Sequence, residues 1–449
     1  MTLRKGDFTQ GKVSRNIFRL GLPMMLAELV HVLYSIVDRM YIGRMPEQGT
    51  TALTGLGICF PLITLIGAFG NLWSTGGATL ATISRGEMQD EKAERIMGTS
   101  FTMLMIIGVF LSAILYLTAP LTLRALGGDE ETLLAALSYF RIYVVGTVPV
   151  MISLGMNPFI NAQGFPRIGM MTVIIGAALN IILDPLMIYT FHMGIAGAAL
   201  ATVISQTASA AWVLAFLRSR VVPLRLTRFV IDRKQLGEIV KLGLTGFTFK
   251  VTNSLTQAVV NVMLKAWGGP LSTLYIGAMS LINSIREIVS LPNNGVVGGG
   301  QNVMSYNYGA KQYRRVSECI RFMFLCGLSI NIMVWALILF APRVLIGLFT
   351  TDEELIATTI GCSRIYFGAF PFMALQLTGQ TTFVALNRPR HALTFSMLRK
   401  VVLVVPLTLL LPGLGLGVKG VFWAETISQV VGASACFTTM YLLIWRRMK

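Results

Sequence analysis

The chain has 449 residues, of which 54% are hydrophobic and only 13% are charged, and its formal net charge is +17. Soluble proteins carry about 25% charged residues, so this chain has too little charge to cover several soluble domains. Apolar runs recur along it, each long enough to cross a hydrocarbon core of about 30 Å as a helix. Composition therefore excludes a soluble enzyme and a nucleic-acid-binding protein, and it predicts an all-α polytopic membrane protein.

The apolar runs predict twelve transmembrane helices in two groups of six. The first six cover residues 17–43, 52–83, 93–119, 132–163, 166–190 and 194–217. The second six cover residues 239–267, 272–305, 315–340, 355–386, 392–411 and 418–445. Spans this long predict helices that tilt or project beyond the bilayer.

Basic residues are concentrated in alternate loops between the predicted helices. They cluster in the N-terminal tail, which includes Arg4 and Lys5, and in the segments 85–95, 218–241 and 388–400. Cytoplasmic loops of membrane proteins carry an excess of Lys and Arg. The pattern predicts a multi-pass membrane protein with both termini in the cytoplasm, and it explains the positive charge without a nucleic-acid partner.

The two halves of the chain resemble each other at an offset of 222 to 223 residues. Matching segments include Leu20-Gly21-Leu22 with Leu242-Gly243-Leu244, Asp129-Glu130-Glu131 with Asp352-Glu353-Glu354, and Pro166-Arg167 with Pro389-Arg390. We interpret this as a duplication with an N-lobe over residues 1–217, a basic linker over 218–238 and a C-lobe over 239–449. Parallel repeats of this kind are typical of transporters in which one lobe rocks against the other.

The sequence carries no motif that would make the protein an enzyme. It contains no HExxH or GxSxG segment and no clustered acidic motif that would hold a catalytic cation. The run Gly298-Gly299-Gly300 lies inside the eighth predicted span, where it indicates close helix packing rather than a phosphate-binding loop. We therefore predict a transporter, with a channel and a membrane-embedded enzyme as the other classes that this architecture could serve.

Carboxylates within the predicted spans distinguish the first half. Asp38 lies on the first span, and Asn180 and Asp184 share one face of the fifth, where Pro185 frees a backbone carbonyl. The repeat counterparts of Asn180 and Asp184 are apolar. Charged groups inside a membrane are costly and mark functional sites. Because two close carboxylates in a low dielectric cannot both stay charged, we expect a proton or a cation here, although a helix-to-helix hydrogen bond of Asp184 is the structural alternative.

Other polar residues on the first span form a stripe. Glu28, His31 and Tyr34 follow one another at helical spacing before Asp38, so we expect them to line a substrate cavity together with Asn157. A packing role is the alternative for His31. Pro23 is a candidate hinge, with a static kink as the alternative.

The charged residues within the second half are expected to neutralise one another. Arg286 and Glu287 are adjacent on the eighth span, and Lys250 and Glu425 are their expected partners. The predicted spans of the first half carry more acidic than basic residues, whereas those of the second half do not. A transported cation is therefore expected in the first half.

Several segments resemble the multidrug and toxic compound extrusion (MATE) transporters, in particular their MepA-like and DinF-like bacterial branch. They are Pro23, the stretch from Tyr34 through Asp38 to Gly43, Asn180–Pro185 and Gly197–Thr202. The resemblance implies two six-helix lobes around a V-shaped cavity, and export of cationic or amphipathic compounds driven by inward flow of H⁺ or Na⁺, without a cofactor. It also implies an ion-coupling site, able to hold Na⁺, at Asp38, Asn180, Asp184 and Thr202.

The chain departs from the NorM-type branch of that family in its second half. That branch carries acidic residues on the seventh and tenth spans, where this chain has Asn253, Gln376 and Gln380. A flippase for lipid-linked oligosaccharides shares the architecture and is the alternative function. It would use a basic cavity, for which Lys250, Arg286 and Arg364 are the candidates. We expect a monomer in the lipid bilayer that takes small molecules as substrates.

Overall fold

The computed structural model describes residues 7–46, 49–227, 229 and 231–448. Within these residues every regular element is a helix. Arg4 and Lys5, which contribute to the predicted basic tail, lie outside the described residues.

The α-helices follow one another with short connections. In the first half they are α1 (Val13–Gly43), α2 (Gly49–Gly86), α3 (Asp90–Ala125), α4 (Glu130–Val145), α5 (Thr147–Ala162), α6 (Pro166–Pro185) and α7 (Gly194–Arg218). In the second half they are α8 (Arg233–Trp267), α9 (Ser272–Gly309), α10 (Tyr313–Phe340), α11 (Pro342–Gly347), α12 (Glu353–Tyr366), α13 (Met373–Ala385), α14 (Pro389–Met397), α15 (Val405–Leu410) and α16 (Val418–Leu443).

The helices account for the predicted membrane spans. In the described part of the chain, nine helical segments are long and apolar enough to cross a membrane, and the bent pair α4–α5 supplies a tenth. Of the two other predicted spans, 239–267 corresponds to α8, which is 35 residues long but more polar, and 355–386 corresponds to α12 and α13. The predicted fold class, an all-α polytopic membrane protein, is confirmed.

Four predicted helices are interrupted in the structure, one of which, 166–190, continues beyond α6 as the π-helical segment Leu186–Thr190. The span 132–163 bends by 58° between α4 and α5, at Gly146, where a Cβ atom would overlap the side chain of Val203. The span 355–386 breaks between α12 and α13, where Pro371 lacks the N–H that a continuous helix needs. The span 392–411 contains a π-helical segment, Leu398–Val404. Periodicity in the sequence does not report such breaks.

Matching residues of the sequence repeat begin equivalent helices in the two halves. Asp129 caps α4 by accepting a hydrogen bond from Thr132 N at 2.9 Å, and its repeat counterpart Asp352 caps α12 by accepting one from Leu355 N at 3.2 Å. Hydrogen bonds from Thr132 hold the pKa of the Asp129 carboxyl below its ordinary value. Pro166 and Pro389, another matching pair, begin α6 and α14, where a missing N–H costs nothing.

The chain divides into two compact units whose boundaries fall inside helices. Unit 1 consists mainly of Pro23–Phe247, and unit 2 of Phe8–Leu22 and Thr248–Lys449. Helix α1 therefore begins in unit 2 and continues in unit 1 from Pro23, while α8 begins in unit 1 and continues in unit 2. The sequence repeat alone places the lobe boundaries at residues 217 and 239 instead.

In unit 2, the beginning of α1 crosses α9 at glycines. A Cβ atom on Gly21 would overlap the backbone carbonyl of Gly295, and one on Gly299 would lie 2.5 Å from the carbonyl oxygen of Ile17. Only glycine allows two helix backbones to approach this closely. Gly299 belongs to the glycine run of the eighth predicted span, so the predicted close helix packing is observed.

In unit 1, the beginning of α8 crosses α2 in the same way. A Cβ atom on Gly243 would overlap the backbone carbonyl of Leu72, and one on Gly76 would overlap that of Ile239 and lie 2.9 Å from Gly243 N. These four residues are the repeat counterparts of the four at the crossing in unit 2. The two units thus contain equivalent glycine crossings, each made by the first turns of a helix that ends in the other unit.

The predicted linker, residues 218–238, packs onto unit 1. Leu224 N donates to Gln163 Oε1 at 2.8 Å, and Arg225 N donates to Glu94 Oε1 at 2.9 Å. The Leu224 side chain is fully buried. The segment is therefore part of the folded unit; its residues 228 and 230 lie outside the described part.

Candidate ion-coupling site

The structure brings the four residues predicted to couple an ion together in unit 1. Asp38 is on α1, Asn180 and Asp184 are on α6, and Thr202 is on α7. Asn180 Nδ2 donates to Asp184 Oδ1 at 3.1 Å and to Thr202 Oγ1 at 3.5 Å. The carboxyl groups of Asp38 and Asp184 lie within hydrogen-bonding reach of each other. Three helices therefore converge on two adjacent acids.

Three oxygen acceptors of the site have no hydrogen-bond donor among the described residues. Asp184 is 0% exposed and Asn180 is 2% exposed. Asp38 Oδ1, Asn180 Oδ1 and Asp184 Oδ2 are buried and find no hydrogen-bond partner among the described residues. Buried acceptors without a partner are costly, and adjacent carboxylates repel one another. A proton shared by the two carboxyl groups would remove their repulsion, and a hard cation takes oxygen ligands of all three kinds.

A helix break lies directly beside the acids. Regular helix α6 ends at Pro185, and the chain continues in a π-helical turn, Leu186–Thr190. Pro185 has no N–H, which leaves one carbonyl of the preceding turn without its helical donor. Tyr189 OH donates to the backbone oxygen of Tyr41 at 2.7 Å and ties this turn to α1. The two helices that carry the acids are thus connected beyond the site.

Two tyrosines of α4 complete the site, and sequence reasoning missed them. Tyr139 and Tyr143 are buried, with ring centroids 5.9 Å apart. The Tyr139 hydroxyl lies within hydrogen-bonding reach of the Thr202 side chain and interacts electrostatically with Asp38. Tyr143 also interacts electrostatically with Tyr34. Their spacing of four residues was the only sequence signal, and in an apolar helix that spacing usually indicates packing.

The polar stripe on α1 reaches the acids through Tyr34. Tyr34 is half-buried and interacts electrostatically with Asp38 and Asp184. The His31 ring packs edge-on against the Tyr34 ring, with centroids 5.0 Å apart. Glu28 and His31 are both exposed on the protein surface. Tyr34 therefore links the polar stripe of α1 to the acid pair through its electrostatic interactions.

The two remaining predicted residues of unit 1 have structural contacts of their own. Asn157 Nδ2 donates to the backbone oxygen of Gly169 at 3.1 Å and so ties α5 to α6. Pro23 is buried inside α1, at the boundary where that helix enters unit 1. Neither contact involves the acids.

The charges of unit 2 agree with the prediction in part, because Arg286 interacts electrostatically with Glu425 and Glu287, but Glu425 also has partners that were not predicted. Glu425 forms ion pairs with Lys400 and Arg399, each at 3.3 Å, whereas the sequence tally assigns both bases to a cytoplasmic loop. Arg286 Nη1 donates to Tyr366 OH at 2.9 Å. The side chains of Arg399 and Lys400 project from a π-helical segment inside a predicted span, which an apolar-run count cannot reveal.

The amide residues Asn253, Gln376 and Gln380 of the second half have polar surroundings in the structure. Gln376 Nε2 donates to Gln380 Oε1 at 3.2 Å, and Asn253 lines a polar pocket. Among the described residues, no group of three or more His, Cys, Asp or Glu side chains could hold a metal ion. At the places where the NorM-type branch carries acidic residues, this chain therefore has amides.

Duplicated membrane-spanning helices with a buried acid pair in one of the two units are typical of membrane transporters. The MatE family profile matches residues 23–186 and 251–410, once in each half of the chain. The chain belongs to the MatE family, so the predicted family membership is confirmed. Transporters of this family need no cofactor.

Several proteins resemble this chain over their whole length. The multidrug export protein MepA of Staphylococcus aureus is 23% identical over 97% of this chain and 95% of its own. An outward-facing multidrug resistance MATE family transporter of the MOP superfamily has a TM-score of 0.90 and 22% identity, covering 100% of this chain and 99% of its own. A MOP superfamily transporter from Pyrococcus furiosus Vc1 has a TM-score of 0.91 and 22% identity, with both chains fully covered.

Proposed function

We propose that this protein exports small molecules across the bacterial plasma membrane in exchange for H⁺ or Na⁺, and that the ion binds at Asp38, Asn180, Asp184 and Thr202. The observation that carries the proposal is that three buried acceptor oxygens, two of them on adjacent carboxylates, have no donor among the described residues. A cation would provide the positive charge that these oxygens lack, and a proton would neutralise one carboxylate.

The geometry supports a site with two states. When a cation or proton is present, the charges of Asp38 and Asp184 are balanced and α1 and α6 can stay close together. When it leaves, two carboxylates face each other in a medium of low dielectric and repel. Since Tyr34 interacts electrostatically with both acids and lies on the polar stripe of α1, the charge state of the acids is coupled to the surface where we place the substrate.

We propose cationic or amphipathic compounds as the substrate class, in line with the name of the relative MepA, a multidrug export protein. The exposed Glu28 and His31 on α1 would meet such compounds. Their polar groups and the apolar residues between them suit molecules with one charged and one apolar part. We further propose that the protein acts as a monomer with both termini in the cytoplasm.

Helix α1 is the element that we propose to transmit the change. It begins in unit 2 and enters unit 1 at Pro23, where the missing N–H makes the helix easiest to bend. The acid Asp38 lies four turns further along the same helix. Bending at Pro23 would move the acid-bearing part of α1 relative to its beginning, which is fixed by the glycine crossing.

Energetics limit the exchange ratio. One charge crossing about 100 mV yields about 2.3 kcal/mol, and one pH unit adds about 1.4 kcal/mol. Exchange of one proton for a monovalent cation moves no net charge, so only about a tenfold gradient per pH unit can be sustained. We therefore propose more than one proton per cationic substrate, or a substrate that is neutral or zwitterionic.

Ion flux driven by a substrate tests the proposed function directly. In proteoliposomes with a pH-sensitive or a Na⁺-sensitive dye inside, we expect an added cationic dye such as ethidium to drive H⁺ or Na⁺ in the opposite direction. Flux with one ion and not the other identifies the coupling ion. Ion flux that is independent of the substrate would indicate a channel, and transport of a lipid-linked sugar without ethidium-driven flux would favour the flippase.

Removing the hydroxyl of Tyr139 is expected to weaken ion binding without abolishing transport. The Tyr139→Phe variant loses the hydrogen bond to Thr202, worth about 1 kcal/mol. We expect the ion concentration for half-maximal transport to rise about fivefold, while the maximal rate changes little. The matched control is Tyr116→Phe on α3, whose ring packs beside Arg141. Equal ion dependence in the Tyr139 variant and wild type would remove Tyr139 from the site.

A further inference from the structure

Unit 2 contains a second buried cluster of charges that the proposed ion coupling does not use. Arg399 and Lys400, from the π-helical segment, both pair with Glu425 of α16. Arg286 of α9 donates to Tyr366 OH of α12. Lys400 is 3% exposed, and the side chains of Arg399 and Glu425 are 12% and 13% exposed. Three segments thus bring three bases and one acid together, and α12 adds Tyr366.

The charges of this cluster do not balance. Three bases are present at the cluster, and Glu425 is the one acid in contact with them in the described part of unit 2. Glu287, next to Arg286 along α9, is exposed and also interacts electrostatically with Arg286. With all three bases protonated, one positive charge remains even when Glu287 is counted. Arg286 stays protonated at any accessible pH, and an uncompensated guanidinium within a membrane span is costly.

A small pocket opens where the excess charge lies. Its volume is about 20 Å³, enough for one water-sized or monatomic species. Arg286, Tyr366, Lys400, Glu425 and Asn253 are among its lining residues. Arg286 has five N–H groups and Lys400 has three, more than their bonds to Tyr366 and Glu425 use. The pocket therefore offers hydrogen-bond donors and net positive charge together.

We propose that this pocket of unit 2 binds a small monovalent anion. One negative charge would balance the excess base, accept the remaining N–H groups of Arg286 and Lys400, and fill the available volume. The ligand chemistry is a halide. Unit 2 would then hold an anion, while we place a proton or a cation at the acid site of unit 1.

The experiment measures the unfolding midpoint of the full-length protein in detergent, which requires no transport activity. We compare KCl, potassium acetate and potassium gluconate at equal ionic strength. Chloride is expected to raise the midpoint by roughly 2–5 °C over both carboxylate salts. A rise with acetate equal to that with chloride would show that the pocket does not select a halide and would contradict the proposal. The same midpoint in all three salts would overturn the proposal.

Two substitutions within the cluster are expected to change the chloride-dependent rise of the unfolding midpoint in opposite directions. Arg286→Gln removes the excess charge and should abolish the difference between chloride and gluconate. Glu425→Gln leaves three bases uncompensated, so it should lower the midpoint in gluconate yet enlarge the rise that chloride causes. Arg364→Gln, which removes an exposed base from α12, is the matched control and should behave as wild type.

A second measurement covers the case in which the variants do not fold. Crystals of the wild-type protein grown in bromide should show an anomalous peak in the pocket beside Arg286 and Lys400. An empty pocket in bromide, or an Arg286→Gln variant that keeps the full chloride effect, would contradict the proposal. Neither result would bear on ion coupling in unit 1, because the acid site is not part of this measurement.

Discussion

Asp184→Asn and Asp38→Asn are each expected to abolish ion-driven export. Asparagine cannot take up a proton, and it offers no negative charge to Na⁺. With one acid neutral, the pair no longer repels when the site is empty, so the energetic difference between its two states is lost. In proteoliposomes with an imposed gradient, we expect substrate accumulation to fall at least about 100-fold, which corresponds to about 2.7 kcal/mol of lost coupling.

The control for these variants carries the same chemical change outside the site. Glu131→Gln neutralises an exposed carboxylate in the first turn of α4, and we expect wild-type transport from it. Folding is checked by the unfolding midpoint in detergent. Because Asp184→Asn removes repulsion between adjacent buried carboxylates, that midpoint should stay the same or rise, which separates lost coupling from misfolding.

Two outcomes would contradict the assignment of the acid pair. One is a double variant, with both aspartates replaced, that still shows full transport and unchanged ion dependence. The other is loss of transport in Glu131→Gln to the same extent. Either result would leave the fold and the family intact and would move the coupling ion elsewhere in the chain.

Gly243→Ala is expected to be the most destabilising small substitution in unit 1. Its Cβ atom would overlap the backbone carbonyl of Leu72 on α2, and a backbone atom within a packed helix cannot move aside as a side chain can. Overpacking of this kind costs about 1–3 kcal/mol, so we expect the unfolding midpoint in detergent to fall by roughly 4–10 °C.

Gly237→Ala is the matched control within the same helix. No atom lies within 4 Å of the Cβ that this substitution adds, and alanine favours helix by up to about 1 kcal/mol over glycine. We expect an unchanged or slightly higher midpoint. If the Gly243 and Gly237 variants unfold at the same temperature, the close approach of α2 and α8 does not stabilise the unit.

Much of the architecture could be predicted because its signals are local. Apolar runs locate the spans, and the matched pairs Asp129 with Asp352 and Pro166 with Pro389 mark equivalent helix starts. Asn180 and Asp184 stand out because polar residues one turn apart are rare in a spanning helix. Each of these signals needs only residues that are neighbours in the chain.

Other features depend on contacts between distant segments, which a single sequence does not report. Tyr139 reaches Thr202 only because α4 and α7 pack together, and Lys400 reaches Glu425 only because a π-helical segment lies against α16. The bend at Gly146 is required by the side chain of Val203, 57 residues further on. In each case the residue type is common, and its partner is what gives it a role.

The two glycine crossings have a consequence for how the gene can be divided. A fragment that ends at the repeat boundary, residue 217, carries the first turns of α1 without the α9 surface that receives them, and its α2 surface lacks the start of α8. The complementary fragment has the reciprocal deficiency. Each piece alone lacks a helix that its glycine crossing requires. We therefore expect stable protein only when both pieces are expressed together, so that α1 packs on α9 and α8 packs on α2.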